Sequence, residues 1–137
     1  MRINNAVETA RQEITAEELR NLVVRGMLEK KAQDVVVMDL RGVKNAITDF
    51  FVICSGNSDT QIDAIASSVE EEVYKAIHLN PWHREGKLNR EWILLDYVDV
   101  VAHVFKKDRR AFYDLEQLWG DAEIQHIDEE PIASSAL

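Results

Sequence analysis

Residues 90–105 read REWILLDYVDVVAHVF, and this stretch constrains the fold more than any other part of the chain. It is rich in β-branched and aromatic residues, which favour strands, and it has a polar turn signal in its middle. We therefore predict two antiparallel strands, at residues 92–95 and 100–105, joined by a turn at residues 96–99. A two-residue loop at Tyr97 and Val98 sets the pairing across the hairpin. The predicted pairs are Trp92 with His103, Leu94 with Val101, and Asp96 with Asp99.

Both faces of this hairpin carry apolar side chains. Successive side chains of a strand point to opposite faces of a sheet. One face therefore carries Ile93, Leu95, Val100, Ala102 and Val104. The other face carries Trp92, Leu94, Asp96, Asp99, Val101, His103 and Phe105. Helices of the chain can cover one face, and we predict that the residues of the other face bind a partner.

Trp92 is the strongest candidate for the centre of that contact. A strand tryptophan usually belongs to a core, but Ile93 and Leu95 already serve the face that helices would cover. A tryptophan among apolar and acidic neighbours has the composition of an interface hot spot. The alternatives are a core position for Trp92 and a homodimer formed through the same face.

Two capping boxes mark the predicted helices. Thr15 and Glu18 open the first helix, and Ser58 and Gln61 open the second. Asp108 is the predicted cap of a last helix, which ends at a glycine.

Apolar runs indicate the remaining strands. Residues 34–40 and 49–55 are valine-rich or aromatic and predict an antiparallel pair, and residues 122–127 predict a short edge strand. Residues 78–89 contain a proline and a glycine and are predicted to be a loop. The order of elements predicts an α+β, or mixed α/β, fold, with a four- to five-stranded mixed sheet and helices on one face.

The length of 137 residues fits one domain, which we place at residues 15–127. We expect residues 1–14 to be an arm or a frayed helix, and residues 128–137 to be a disordered acidic tail. The start of the chain lacks the apolar core of a signal peptide, and no apolar run approaches a membrane span. The single Cys54 forms no internal disulfide. A cytoplasmic protein without a membrane partner is the simplest expectation.

The chain is acidic, with a formal net charge of −9. Nucleic-acid binding depends on Lys and Arg that neutralise phosphates, so we expect no direct sequence-specific contact with nucleic acid. Opposite charge speeds the encounter with a basic protein surface, and this is the class of partner that the charge favours. The alternative is that the negative charge serves only solubility.

Residues 55–58 read Ser-Gly-Asn-Ser and stand between a predicted strand and a predicted helix. A small turn there can receive a phosphate at the helix N-terminus, as in nucleotidyltransferases. Those enzymes also need strand carboxylates that hold magnesium, and no Asp-x-Asp pair follows this loop. A capped helix after a tight turn is the favoured interpretation. The alternative is an enzyme that uses Ser55, Gly56, Asn57 and Ser58.

Other residue types that carry chemistry form no recognisable motif. Four aspartates stand at predicted strand ends: Asp39, Asp49, Asp96 and Asp99. Aspartates in such positions commonly accept hydrogen bonds from turn amides, with acid/base catalysis as the alternative. The histidines, His78, His83, His103 and His126, form no HExxH or Cys/His cluster. We therefore expect no catalytic residue, no metal and no cofactor, and we expect Cys54 to be an inert buried thiol.

Three segments together resemble the ribosomal silencing factor family, also called RsfS or Iojap-like. They read KKAQDVVVMDLRGVKNAITDFFVICSGNSDTQIDAIASSVEE, WILLDYVDVVAHVF and RRAFYDLEQLWGDA, and the resemblance covers about residues 16–124. It implies a nucleotidyltransferase-like fold that has lost catalysis. It also implies binding to the large ribosomal subunit through ribosomal protein uL-fourteen. Such binding blocks the small subunit and lowers translation when nutrients are scarce, and family members accompany large-subunit maturation.

The resemblance also bears on the site residues. Trp92 falls where the family has its interface tryptophan, and the other predicted partner-binding residues are in register with the family's strand motif. The family usually has glycine where this chain has Val98. A tight primed turn needs positive φ, which valine disfavours, so a wider turn with a different pairing is the alternative to the register above.

Overall fold

The computed structural model describes residues 14–86 and 91–128, and this part of the chain forms six strands and four helices. The helices are α1 (Ala16–Glu29), α2 (Asp59–Ile77), α3 (Lys107–Tyr113) and α4 (Leu115–Leu118). The strands are β1 (Gln33–Asp39), β2 (Phe50–Gly56), β3 (His83–Glu85), β4 (Trp92–Asp96), β5 (Val100–Lys106) and β6 (Glu123–His126). They form one sheet in the order β3-β4-β5-β2-β1-β6, in which β2 and β5 are parallel and the other neighbours are antiparallel. The predicted mixed α+β class is confirmed, with six strands in place of four or five.

The long helices α1 and α2 pack against each other on one side of the sheet, which we call the first face. Both begin at the predicted caps, where Thr15 and Ser58 accept hydrogen bonds from the backbone N–H groups of Glu18 and Gln61. The predicted second capping box is incomplete, because the Gln61 side chain accepts from the Asn57 backbone N–H at 2.7 Å and not from the Ser58 backbone N–H. The helices bury apolar stripes on the sheet, including Leu19, Val23 and Met27 of α1, Ile62, Ile65, Val69 and Val73 of α2, and Val35, Val37, Phe50, Val52, Ile93, Leu95 and Val104 of the strands.

The hairpin of β4 and β5 has a different pairing from the predicted one. Trp92 pairs with Phe105, Leu94 with His103, and Asp96 with Val101, so the predicted pairs are wrong. The cause is that the two turn residues are Val98 and Asp99 and not Tyr97 and Val98. The Tyr97 N–H donates to the Val100 carbonyl at 2.8 Å, Val98 has a φ of 77°, and Tyr97 is buried in the first-face core. The pairing shifts by two residues, and a shift of two leaves every side chain on its predicted face. Asp99 belongs to this loop and does not pair with Asp96.

The C-terminal part of the chain differs from the predicted single helix. It forms two short helices, because Asp114 has a left-handed backbone with a φ of 46°. Asp108 is not the cap, since Lys106 takes that position without a side-chain hydrogen bond. The predicted edge strand is confirmed as β6, which pairs with β1. The short helices pack on the side of the sheet opposite α1 and α2, which we call the second face. The prediction that the helices lie on one face of the sheet is therefore wrong, because helices cover both faces.

The predicted loop at residues 78–89 contains a strand, β3, that pairs with β4. Its three residues are His-Arg-Glu, which carry no apolar signal from which a strand could be predicted. The predicted arm at residues 1–14 and the predicted tail at residues 128–137 lie outside the described residues, except for Ile14 and Asp128. No helix in the described part of the chain is long and apolar enough to span a membrane.

Candidate functional site

The second face of the sheet carries six of the seven residues predicted to bind a partner. Trp92, Leu94 and Asp96 extend from β4, next to Val101, His103 and Phe105 of β5. The parallel strand β2 adds Phe51 and Ile53 beside them. The seventh residue, Asp99, is exposed in the hairpin loop at the edge of this face. The fold therefore brings the predicted residues together, although the hairpin pairing differs.

Part of the second face is covered by the chain itself. Leu115 of α4 packs into a cluster with Phe105 and Ile53, and Tyr113 and Trp119 flank it. Phe105 and His103 are almost wholly buried, and Val101 is 8% exposed. Trp92, Leu94 and Asp96 remain partly exposed. The side chains of β5 therefore pack beneath the partly exposed side chains of β4. Of these two sets, only the β4 side chains are accessible to a partner.

Trp92 is held by contacts on several sides. Its ring stacks on Phe105 at a centroid distance of 4.9 Å and lies 4.7 Å from the ring of Tyr113. Its indole N–H donates to Nδ1 of His103 at 3.0 Å. Aromatic packing and a hydrogen bond together hold the indole in one orientation, which lowers the conformational entropy that a partner must overcome on binding.

His103 is neutral in this environment. Burial lowers the pKa of its imidazole from 6.5 to about 3. Because Nδ1 accepts from Trp92, the proton of the neutral ring is on Nε2. That Nε2 is buried and has no hydrogen-bond partner in the described part of the chain. The edge-to-face contact with Phe51, at a centroid distance of 4.5 Å, completes the packing of the imidazole.

Arg110 fastens α3 and α4 to the sheet, a role that sequence reasoning did not identify. Its guanidinium donates to the Asp34 carbonyl of β1, to Ser55 Oγ of β2 at 3.1 Å and to a Glu116 carboxylate oxygen at 2.7 Å. Asp34 lies at an irregular position of β1 with a φ of 51°, which turns its carbonyl away from the regular ladder. Asp34 and Ser55 are more than fifty residues from Arg110 in the sequence, and no local sequence pattern indicates such a contact. It can be identified only from the fold.

The loop at residues 55–58 is used by the fold. Ser55 is buried and bonds to Arg110, and Ser58 caps α2. Gly56 ends β2, where a Cβ would lie 3.2 Å from Ile62. Within residues 14–86 and 91–128 no group of three His, Cys, Asp or Glu side chains could hold a metal ion. The polar groups of this loop therefore have structural partners.

Most of the other residues that could carry chemistry are dispersed. Cys54 is wholly buried, which raises the pKa of its thiol. The hydrogen bond from Arg41 lowers the pKa of the Asp39 carboxyl group. His78 ends α2, and His83 contacts Glu85 at 2.6 Å on the β3 edge. The arrangement of the second face suits binding of a partner, with an aromatic centre and acidic margins.

The chain matches the family described as "Ribosomal silencing factor during starvation" over residues 13–136. A ribosomal silencing factor from Halalkalibacterium halodurans is 44% identical over 106 residues, which are 77% of this chain and 89% of that protein. A Mus musculus protein named mitochondrial assembly of ribosomal large subunit protein 1 is 28% identical over 102 residues, 72% of this chain and 44% of that protein.

A crystal structure of a protein from Chromobacterium violaceum superposes with a TM-score of 0.72 at 29% identity, covering 78% of this chain and 88% of that one. The fold is therefore that of a solved structure with related sequence. Because the family match spans nearly the whole sequence and a named silencing factor is 44% identical, the chain belongs to the ribosomal silencing factor (RsfS) family.

Proposed function

We propose that this protein binds the large ribosomal subunit through ribosomal protein uL-fourteen and sterically blocks association with the small subunit. It thereby represses translation under nutrient limitation, in the cytoplasm, and it also accompanies large-subunit maturation. Family membership supports a regulatory role at the ribosome rather than a catalytic one. The name of the mouse relative, which refers to assembly of the ribosomal large subunit, supports that subunit as the partner.

The observation that carries this proposal is the state of Trp92. The indole is partly exposed on the second face, and its orientation is held by Phe105, Tyr113 and His103. A large, rigid aromatic side chain with one accessible side is the type of residue that dominates binding energy in interfaces. Trp92 also stands where the family resemblance puts the interface tryptophan.

The remaining predicted residues divide between two roles in this proposal. Leu94 and Asp96 lie beside Trp92 and are partly exposed, and Asp99 is exposed in the adjacent loop. These residues contact the partner, with the carboxylates directed to its basic groups. Val101, His103 and Phe105 are buried and hold the contact residues in position. With a net charge of −9, the chain as a whole is attracted to a basic protein surface.

Sedimentation with isolated large subunits tests the proposal. The wild-type chain is expected to sediment with large subunits and to reduce the joining of small subunits that are added afterwards. Trp92→Ala is expected to weaken binding by about 2–4 kcal/mol, because it removes the anchor of the interface. Tyr74→Ala is the control, since Tyr74 is an exposed aromatic residue on α2, away from the second face. Binding of the Trp92 variant at wild-type affinity would disprove the role of the second face.

The two alternatives have their own measurements. An enzyme that uses residues 55–58 binds nucleotide and magnesium, and calorimetry of the chain with both detects this. A homodimer is seen as twice the chain mass in light scattering. A homodimer is compatible with ribosome binding only when Trp92 stays accessible or the dimer dissociates.

A further inference from the structure

Most of the loops that connect the strands lie at one end of the sheet. The strand register puts Glu123, Asp39, Phe50, Val100 and His83 at this end, next to the end of β4. Four segments therefore lie along one border of the sheet. They are the β1–β2 loop, the hairpin loop at residues 97–99, Trp82 before β3 and the turn before β6. We call this border the loop rim. Six strands at about 4.8 Å spacing make it roughly 24 Å wide.

The loop rim concentrates exposed apolar side chains. Six large apolar side chains are exposed in the described part of the chain, and four of them lie here. They are Ile47 at 96% exposure, Trp82 at 76%, Leu118 at 71% and Val98 at 42%. Leu118 ends α4 and lines a cavity with Val43 and Lys44 of the β1–β2 loop. Single exposed apolar residues are normal on any protein surface, but a set gathered at one border indicates a contact surface.

Hydrogen bonds between the loops hold the backbone of three of these segments in place. Thr48, next to Ile47, donates its hydroxyl to the Val98 carbonyl at 2.8 Å. The Val98 N–H donates to a carboxylate oxygen of Asp96 at 2.8 Å, and the Trp82 N–H donates to the Asp96 carbonyl at 2.7 Å. Three separate segments of the rim are thus connected to one another. A preorganised surface loses little entropy on binding.

Val98 is in a strained conformation. Its φ of 77° lies in the left-handed region, which a β-branched residue rarely adopts. Residues held in such regions cost about 1–3 kcal/mol and are concentrated at functional sites. Here the strain holds an apolar side chain at the surface, where it contributes nothing to the core. A binding role accounts for this otherwise unfavourable residue.

The charged side chains around the loop rim indicate which class of partner the rim can bind. Its carboxylates are Asp39, Asp49, Asp96, Asp99, Asp121 and Glu123. Among the cations of the β1–β2 loop, Arg41 is bound by Asp39 and Glu17, which leaves Lys44 as an exposed positive group. An apolar border with excess negative charge repels RNA phosphates and matches an apolar patch flanked by Lys or Arg.

From these observations we infer that the loop rim is a second docking surface that binds an apolar patch with basic margins on a large-subunit protein. The inference rests on the proposed function and extends it to Ile47, Val98 and Trp82, which lie beyond the second face. Asp96 links the two surfaces, because it lies on the second face and also bonds to Val98 and Trp82. The loop rim therefore adjoins the second face at Asp96.

Binding of labelled chain to isolated large subunits tests this inference, with the variants Ile47→Ser, Val98→Gly and their combination. The combined variant is expected to bind about tenfold or more weakly, because two apolar contacts are lost. Val98→Gly is also expected to raise the unfolding temperature by about 3 °C, since glycine adopts positive φ without strain. Higher stability with lower affinity cannot result from damage to the fold. Tyr74→Ser, on α2, is the matched exposed control and is expected to bind normally.

Each other outcome has a definite meaning. Normal binding by the combined variant, with binding lost in Trp92→Ala, overturns the rim inference and leaves the proposed function intact. Failure of the wild-type chain to bind large subunits overturns both. Lys44→Glu is expected to keep or increase affinity, and a large loss would mean that the rim meets phosphate, against the inference. A change in the mass of the chain alone in the combined variant would identify self-association instead, and would also overturn it.

Discussion

The indole N–H of Trp92 donates a hydrogen bond to Nδ1 of His103, a neutral and almost wholly buried imidazole that is paired with Leu94 across the hairpin. The acceptor is two residue pairs away from the Trp92–Phe105 pair on the neighbouring strand, so the bond runs diagonally and sets the rotation of the indole. His103 is therefore a positioning residue for the proposed contact. It acts on the partner only through Trp92.

Replacing His103 tests this relationship. His103→Leu removes the acceptor at similar volume, and it is expected to lower stability by about 1–2 kcal/mol because the indole N–H loses its partner. Binding to large subunits is expected to fall about tenfold, since the indole is no longer fixed. His103→Asn puts an amide oxygen on the same Cγ position as Nδ1, and it is expected to restore much of the affinity.

The indole resonance of Trp92 separates positioning from general damage. In a ¹H–¹⁵N spectrum, the indole N–H is expected to shift and exchange faster in His103→Leu, and to stay near its wild-type position in His103→Asn. Trp92→Phe assigns the resonance among the three tryptophans of the chain. Unchanged spectra and affinity in the leucine variant would show that the hydrogen bond has no positioning role.

The sequence predicts the face of each hairpin residue but not the pairing. Alternation along a strand depends only on a period of two, so Trp92 and His103 were assigned to the correct face. The pairing depends on whether Val98 adopts positive φ, and a valine gives no local signal for that conformation. The shift by two residues left the faces unchanged, which is why the fold class was predictable despite the wrong register.

Burial of the second face could not be predicted from the hairpin alone. Phe105 is covered because α3 and α4 return across the sheet, fastened by Arg110 to Ser55 and Asp34, and His103 is packed between Phe51 and Trp92. These contacts join residues that are distant in sequence, and periodicity carries no information about them. The apolar side chains of the second face correctly indicated that other residues must pack on it. The part of the face that the chain itself covers could be determined only from the structure.

Arg110→Met is expected to loosen the C-terminal cover of the second face. The methionine keeps an apolar stem but removes the guanidinium that bonds Ser55 and Glu116, so a loss of about 2 kcal/mol in unfolding free energy is expected. Hydrogen exchange of the amides in α3 and β6 should accelerate more than in α1. The control is Arg109→Met, because Arg109 and its partner Glu91 are over a third exposed and such pairs contribute little. Equal exchange in both variants would contradict the anchoring role of Arg110.

Gly26→Ala is expected to destabilise the packing of α1 on α2. A Cβ at this position would lie 2.6 Å from the Val69 Cα, a backbone atom that cannot move independently. Overpacking of this kind costs about 1–3 kcal/mol and outweighs the helix propensity of alanine, about 1 kcal/mol. Chemical denaturation measures the change. Gly42→Ala is the control, since a Cβ there meets no atom within 4 Å, and equal stabilities of the two variants would refute the close approach.

The buried His103 makes folding stability depend on pH in a defined direction. Its pKa is lowered to about 3 in the folded chain, from 6.5, so between these values the unfolded chain binds a proton that the folded chain does not. Stability therefore rises with pH through this window, is complete above about pH 7 and falls on acidification. Between pH 7 and pH 5 this single group is expected to remove about 2 kcal/mol of unfolding free energy.

His103→Asn isolates that contribution, because it keeps the acceptor for Trp92 and removes the titrating ring. Denaturation of both proteins at pH 7, 6 and 5 is expected to give a smaller loss in the asparagine variant, by about 2 kcal/mol over the whole interval. The other histidines, His78, His83 and His126, are present in both proteins and cancel in the comparison. Parallel stability curves would mean that His103 becomes protonated in the folded chain, and a protonated ring cannot accept the indole hydrogen bond at Nδ1.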